Sequence, residues 1–241
     1  MRKLFAIVAR EWRAYFLSPL AYVILTAYMF LNGLIFSRIV VFLSSPGAPR
    51  ERFLSLMFTN TYFWIFTLFI VPIITMRLIA EERKTGTLEL LLTSPAREID
   101  IVLAKFAAAM TVLLAMTGLT LSYALVLGVY GNPDWGPVYS GYLGLVLLAG
   151  ALAALGLAIS ALTANQIVAA VVSLGVFGML WAIDAWAGLL PSPIDDWVLG
   201  LSLLARFQPF AVGAMYASDF GFFLAVTLLG LFLAVRGLAR R

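Results

Sequence analysis

Five long stretches of the sequence carry no charged side chain, and they limit the folds that the chain can adopt. They cover residues 14–37, 53–76, 106–133, 135–183 and 220–235. A helix that crosses the hydrocarbon core of a bilayer needs about 20 apolar residues. With 63% apolar and 12% charged residues among 241, the chain has more apolar surface than a soluble domain of its size can bury. We therefore predict an integral membrane protein.

The lengths of these stretches predict six membrane-spanning helices. The first three stretches each fit one crossing, and the 49 residues of the fourth fit two, with a turn at the polar residues 163–166. The fifth stretch is short, but Ser218 and Arg236 can flank a tilted crossing. We expect the first crossing to be a retained helix, since no signal-peptide cleavage site follows a short apolar core. The predicted fold is all-α integral membrane, with spans one to six over residues 19–43, 56–79, 99–130, 138–162, 166–189 and 218–236.

The basic residues predict the orientation of these spans. An even number of crossings puts both termini on one side, and that side holds 12 of the 16 basic residues. The other four, on the opposite side, are Arg38, Arg50, Arg52 and Arg206. Because Lys and Arg are enriched in cytoplasmic segments, we expect cytoplasmic N- and C-termini.

Residues 1–17 have the pattern of a helix that lies in the plane of the membrane surface. On a helical wheel, aromatic and aliphatic side chains fall on one arc and basic side chains on another, as in interfacial amphipathic helices. The alternative is a cytosolic lead-in whose amphipathicity is accidental. The residues predicted to contact the membrane interface are Arg2, Lys3, Phe5, Arg10, Trp12, Arg13 and Phe16.

Residues 80–98, between spans two and three, are charged and patterned. Gly86 permits a sharp turn after a charged helix end, and Leu88, Leu91 and Leu92 then form a short apolar stripe at helical spacing. A short helix of this kind fits the groove of another protein. Alternatively, the loop is solvated and its leucines pack against the chain's own spans.

The same loop carries a family resemblance. The residues Glu81-Glu82-Arg83, followed by the run from Gly86 to Pro95, resemble the cytoplasmic loop of ABC-2-type transporter permeases. They are most similar to the gliding-motility and nitrous-oxide-reductase-maturation branch. The six-span layout, the interfacial helix and residues 201–210, followed by Gly213, are similar as well.

The resemblance implies one ABC-2 transmembrane domain over residues 1–241, with a coupling helix in residues 80–98 that binds a separate ATPase subunit. ATP and Mg²⁺ would be used by that subunit, and this chain would bind no cofactor. The sequence agrees in one respect, because it contains no Gly-Lys dipeptide and hence no P-loop. The residues assigned by position to docking and coupling are Glu81, Glu82, Arg83, Lys84, Gly86, Thr87, Leu88, Glu89, Leu91, Leu92, Ser94 and Pro95.

The function implied is the permease subunit of an ABC exporter in the inner or plasma membrane. Its expected partners are the ATPase, a second permease copy or a paralogue, membrane lipid and an accessory envelope protein; nucleic acid is not expected. An alternative is a non-transporting anchor or motor element that relays ATPase motion to envelope partners. An enzyme is not expected, because the chain has no His or Cys and no span pairs a nucleophile with a base. The same composition excludes metal sites built on imidazole or thiolate.

Residues 190–217 are predicted to form short outer helices. Phe207, Pro209 and Phe210 are candidates for an outer gate, and a plain connecting cap is the alternative. Within the spans, Ser160 could line a path or bond to its own helix. Gly150, Ala154 and Ala158 recur every four residues, a spacing that lets helices approach closely within the chain or across a dimer.

Overall fold

The computed structural model describes residues 2–45, 53–88, 97–130, 134–192 and 194–239, and every regular element in these ranges is an α-helix. The helices are α1 (Arg2–Phe16), α2 (Pro19–Leu43), α3 (Phe53–Phe58), α4 (Thr61–Thr75), α5 (Ala80–Thr85), α6 (Glu98–Tyr130), α7 (Trp135–Leu162), α8 (Gln166–Ala187), α9 (Ile194–Leu199), α10 (Leu203–Ala211) and α11 (Ala217–Ala239).

Six helical segments in the described part are long and apolar enough to cross a membrane. They are Ala21–Leu43, Thr61–Thr85, Glu98–Tyr130, Trp135–Leu162, Gln166–Ala187 and Ala217–Ala239. The prediction of an all-α chain with six candidate spans is therefore confirmed. The fourth and fifth spans are separated by a short turn, where the Asn165 side chain accepts hydrogen bonds from the backbone N–H groups of Ile167 and Val168.

Span two differs from the single helix predicted over residues 56–79. Helix α3 ends at Phe58, and Asn60 caps the start of α4 by accepting a hydrogen bond from the Tyr62 N–H. The helix is interrupted again after Thr75 and resumes at Ala80. The apolar pattern continues through both interruptions, but an Asn that satisfies the first free N–H groups favours a new helix start.

Helix α7 lies at the centre of the bundle. Over 18 residues of its apolar stretch 72% are buried, against 17% in α8. Small residues let its neighbours approach closely. A Cβ atom added to Gly230 of α11 would lie 2.6 Å from the backbone carbon of Ala154, and one added to Gly156 would collide with Thr75 of α4. Ala154 therefore packs against a helix of the same chain. This agrees with the first of the two interpretations of the small-residue spacing, close approach within the chain.

Candidate functional site

The last residues of the second candidate span form a short charged helix at one end of the bundle. Four residues of turn follow α4, and then α5 runs from Ala80 to Thr85. Gly86 ends α5 in the left-handed region, at φ 73°, which a glycine adopts without the steric cost of a Cβ atom. The segment of residues 80–88 is named the docking segment below.

Ser160 of α7 holds the interruption between α4 and α5. Its hydroxyl oxygen accepts hydrogen bonds from the backbone N–H groups of Ile79, at 3.1 Å, and Ala80, at 3.0 Å. The same hydroxyl donates to the Met76 carbonyl, at 3.0 Å. Since Ser160 is fully buried, it satisfies backbone groups that have no access to water.

Arg83 connects the docking segment to the last span. Its guanidinium donates a hydrogen bond to the Gly237 carbonyl of α11, at 3.2 Å. A cationic side chain near a helix C-terminus also interacts favourably with the helix dipole. The docking segment is therefore attached to both α7 and α11.

A network of four charged side chains joins the docking segment to α1 and α6. Arg10 of α1 donates to Glu11, at 2.8 Å, and to Glu82 of α5, at 2.9 Å. The Lys105 ammonium of α6 lies 2.9 Å from one Glu82 oxygen and 3.4 Å from a Glu11 oxygen. Two cations and two carboxylates balance, so that the group carries no net charge.

Three of the four side chains in this network are largely buried. The Lys105 side chain is 1% exposed, and those of Glu11 and Glu82 are 11% and 17% exposed. The hydrogen bond to Glu11 holds the pKa of the Arg10 guanidinium above its ordinary value. Removing one of these three would leave an uncompensated buried charge, whereas the Arg10 side chain, 55% exposed, also reaches solvent.

Helix α1 is attached to the spans at two further points. The Trp12 indole N–H donates to the Thr111 hydroxyl of α6, at 2.6 Å, and the Tyr15 hydroxyl donates to the Ile74 carbonyl of α4, at 2.9 Å. Burial raises the pKa of the Tyr15 phenol above its usual range, so that this group stays a neutral donor. The helix is thus fixed to spans two and three.

The predicted docking residues divide into two groups. Glu81, Lys84 and Thr87 reach solvent, while Glu82 and Arg83 are turned towards the bundle. A cleft of about 530 Å³ lies between α1 and the docking segment. Glu89, Leu91, Leu92, Ser94 and Pro95 lie outside the described residues.

Leu88 requires a correction. Its side chain is 6% exposed and packs in the chain's own hydrophobic core. This is the arrangement of the alternative interpretation, in which a leucine of the loop packs against the spans. Leu88 is therefore not available to a partner in this structure, whereas the polar side chains of Lys84 and Thr87 near it are exposed.

The residues predicted to contact the membrane interface also lie in different environments. Trp12 is 49% exposed, and its ring packs edge-on against Phe16, with ring centroids 5.4 Å apart. Arg13 is exposed as well. Arg10 is engaged in the ionic network instead. The side chains of Arg2, Lys3 and Phe5 lie outside the described part of the chain.

The candidate outer-gate residues lie in α10, whose aromatic face is buried. Phe207 and Phe210 are fully buried, and the Phe207 ring packs edge-on against Trp64, with ring centroids 5.4 Å apart. Ser140 of α7 donates to the Phe210 carbonyl, at 2.7 Å. Pro209, inside the same helix, is partly buried. Their role as a gate stays a prediction.

Three polar contacts in this structure were not predicted from the sequence. Lys105 is one of the twelve basic residues on the predicted cytoplasmic side, and the sequence suggests no partner for it. For Ser160 the sequence suggests a path or a bond within its own helix, but not a contact with the docking segment. Arg206 was given no role, yet it lies 3.0 Å from the buried Asp219 carboxylate. Lys105 offered one signal, because a lysine near the start of an apolar span must find an acid or the headgroups. The Ser160 contacts join residues about 80 positions apart, and the Arg206 contact joins residues 13 positions apart.

A comparison with protein-family models matches residues 49–235, which is 187 of the 241 residues, to the family described as ABC-2 family transporter protein. The chain belongs to the ABC-2 transporter family. Together with the six candidate spans, membership identifies a multi-pass membrane permease component of an ABC transporter, which works with an ABC ATPase subunit. A comparison with curated proteins found no match.

Proposed function

We propose that this ABC-2 chain is the permease subunit of an ATP-driven exporter in the inner or plasma membrane, and that a separate ATPase binds the exposed face of the docking segment. Glu81, Lys84 and Thr87 form that face. ATP and Mg²⁺ are used by the ATPase. The gliding-motility and nitrous-oxide-reductase-maturation branch is the one that the loop residues favour.

One observation carries the proposal: the docking segment and the turn before it are attached to four other elements. Ser160 holds the turn to α7, Arg83 reaches α11, and Glu82 meets cations from α1 and α6. A short helix that bonds to so many elements cannot move without displacing some of them. It is therefore suited to transmit motion of a bound ATPase to the spans, provided that the attachments differ between two states.

The test is co-purification of the ATPase with a variant whose docking face has reversed charge. We expect the double variant Lys84→Glu, Thr87→Glu to lose the ATPase, because both side chains are exposed and neither supports the core. Asp196→Lys is the control, since Asp196 is exposed in α9, at the opposite end of the bundle. Undiminished recovery of the ATPase with the double variant would contradict the docking site.

Leu88→Asp is unsuitable for this purpose. Leu88 is buried in the core, and an unpaired carboxylate there would destabilise the fold directly. Loss of the ATPase would then report unfolding rather than a missing contact.

We place the transport path between two permease subunits rather than inside one. Two small cavities lie among the spans. The one lined by Tyr28 has a volume of about 20 Å³ and the one lined by Ile24 about 10 Å³, so that each has room for a single water molecule at most. Neither cavity admits a solute, which supports a path bounded by a second surface from another copy or a paralogue.

The same dense interior also favours the second candidate, a non-transporting anchor or motor element that passes ATPase motion to an envelope protein. Reconstitution of the complex in liposomes separates the two. An exporter hydrolyses ATP faster when its substrate is present. ATP hydrolysis that no candidate solute changes, together with retention of an envelope protein on purification, would favour the anchor.

A further inference from the structure

Glu82 is turned away from the exposed face of the docking segment. Its side chain is 17% exposed, against 46% for its neighbour Glu81. One carboxylate oxygen accepts a hydrogen bond from Arg10 of α1, at 2.9 Å, and the other lies 2.9 Å from the Lys105 ammonium of α6. A single side chain of the docking segment is thus held by two elements that lie far apart in the sequence.

Lys105 cannot contact a partner subunit directly. Its side chain is 1% exposed, and among the described residues the carboxylates within 4 Å of its ammonium are those of Glu82 and Glu11. A buried ammonium is stable only where carboxylates replace the water that it has lost. Glu82 supplies the shorter of the two carboxylate contacts, at 2.9 Å against 3.4 Å for Glu11, and this contact holds the docking segment against α6.

The helix that supplies Arg10 and Glu11 to the network is itself held against the spans. Helix α1, which supplies Arg10 and Glu11, is itself bonded to α6 through Trp12 and to α4 through Tyr15. The docking segment is the remaining member, and its N-terminal end is already held by Ser160. The network consequently determines where the exposed end of the segment lies.

We propose that Lys105 is a positioning residue for ATPase docking, which acts through Glu82 to hold the docking segment against α1 and span three. The consequence for the ATPase rests on the proposed function. The geometric part does not, because it concerns contacts within this chain alone.

The first experiment measures the position of the docking segment in the chain without an ATPase. The sequence has no cysteine, so that spin labels can be attached at Ala9→Cys of α1 and Thr85→Cys of α5, both exposed positions. In lipid nanodiscs we expect one narrow distance distribution in the parent chain and in Glu81→Gln. Glu82→Gln and Lys105→Met should broaden it.

Glu81→Gln is a matched control, because it makes the same chemical change one residue away, where the nearest cation is 3.7 Å distant and the side chain is half exposed. Glu82→Gln breaks the same contact and keeps the shape of the side chain, because an amide is isosteric with a carboxylate. It therefore tests the proposal even if Lys105→Met does not fold. A distribution that stays narrow in both Glu82→Gln and Lys105→Met would overturn the proposal.

The second experiment is a double-mutant cycle on the affinity for the ATPase. Glu82→Gln and Lys105→Met should each lower the affinity several-fold, and the double variant should be no weaker than the weaker single variant, because both changes break one contact. Additive losses would mean that the two residues act separately, and the proposal would be wrong. If Lys105→Met bound the ATPase with the affinity of the parent chain, the proposal would also be wrong.

The two experiments separate this inference from the proposed function. If the parent chain binds no ATPase, the proposed function fails, and the spin-label distances alone decide whether Lys105 positions the segment. If Lys84→Glu, Thr87→Glu abolishes binding while Lys105→Met binds normally, the docking site stands and the inference about Lys105 is rejected.

Discussion

At the residue scale, Ser160 has the largest number of backbone partners of any described side chain that joins two spans. Ser160→Ala would leave the N–H groups of Ile79 and Ala80 buried without an acceptor. Each unpaired donor costs about 1–3 kcal/mol. We therefore expect a clear loss in the free energy of unfolding, measured by titration of detergent-solubilised protein with a denaturing detergent. A water molecule that replaced the hydroxyl would reduce the loss.

Ser122→Ala is the control for this substitution. Ser122 is exposed in α6 and donates to the Leu119 carbonyl of its own helix, at 2.8 Å. Its removal strands no buried group, and the free energy of unfolding should hardly change. Equal effects of the two substitutions would contradict the role given to Ser160.

The pair of Arg206 and Asp219 is the corresponding contact at the other end of the bundle. The Asp219 side chain is 6% exposed, and Arg206 also donates to the Gly200 carbonyl, at 3.1 Å. Arg206→Met leaves a buried carboxylate without its cation. Breaking a fully buried pair costs about 3–5 kcal/mol in the free energy of unfolding. We expect a smaller loss here, because Arg206 is partly exposed. The measurement is thermal unfolding in detergent.

Two variants decide the origin of that loss. Arg206→Met combined with Asp219→Asn should recover much of the stability, since no charge is then left unpaired. Arg38→Met removes an exposed arginine and should be close to neutral. If the double variant were less stable than Arg206→Met alone, the ion pair would not explain the effect.

At the scale of the elements, the contact between α7 and α11 depends on the lack of a side chain at Gly230. A Cβ atom there would lie 2.6 Å from the backbone carbon of Ala154, so that Gly230→Ala forces two closely packed helices apart. Overpacking of this kind costs about 1–3 kcal/mol. We expect Gly230→Ala to lower the midpoint of thermal unfolding in detergent.

Gly221→Ala, in the same helix, tests whether the effect comes from packing. A Cβ atom at Gly221 meets nothing within 4 Å, and replacing a helical glycine by alanine favours the helix by about 1 kcal/mol. The two alanine variants should therefore change the midpoint in opposite directions. A shift of the same sign in both would mean that helix propensity outweighs the close approach.

The sequence was informative about elements for a physical reason. Bilayer thickness sets the length of a span, so charge-free stretches predict how many helices cross. It was less informative about the interruptions at Asn60 and after Thr75, because the apolar pattern continues through them. It could not show that Ser160 and Lys105 meet the docking segment and the turn before it, since those contacts span 23 to 81 residues and depend on how the helices pack. The burial of Leu88 could not be predicted for the same reason, because it too depends on how the helices pack.

At the scale of the whole molecule, the proposed function requires the docking segment to face the cytoplasm. The alternation of the spans puts α5 and α9 at opposite ends of the bundle, and the excess of basic residues predicts which end is inside. Lys84 and Asp196 are exposed at the two ends, and the chain has no cysteine that would give background labelling. Single cysteines at these positions can therefore report orientation in intact cells.

We expect Asp196→Cys to react with a membrane-impermeant maleimide added to cells whose outer barrier has been opened, and Lys84→Cys to react only after the membrane that holds the protein is permeabilised. The physical reason is that the bilayer blocks a charged reagent, while both side chains reach water. The reverse pattern would put the docking segment on the side without ATP. In that case no cytoplasmic ATPase could bind it, however well Lys105 and Ser160 hold it in place.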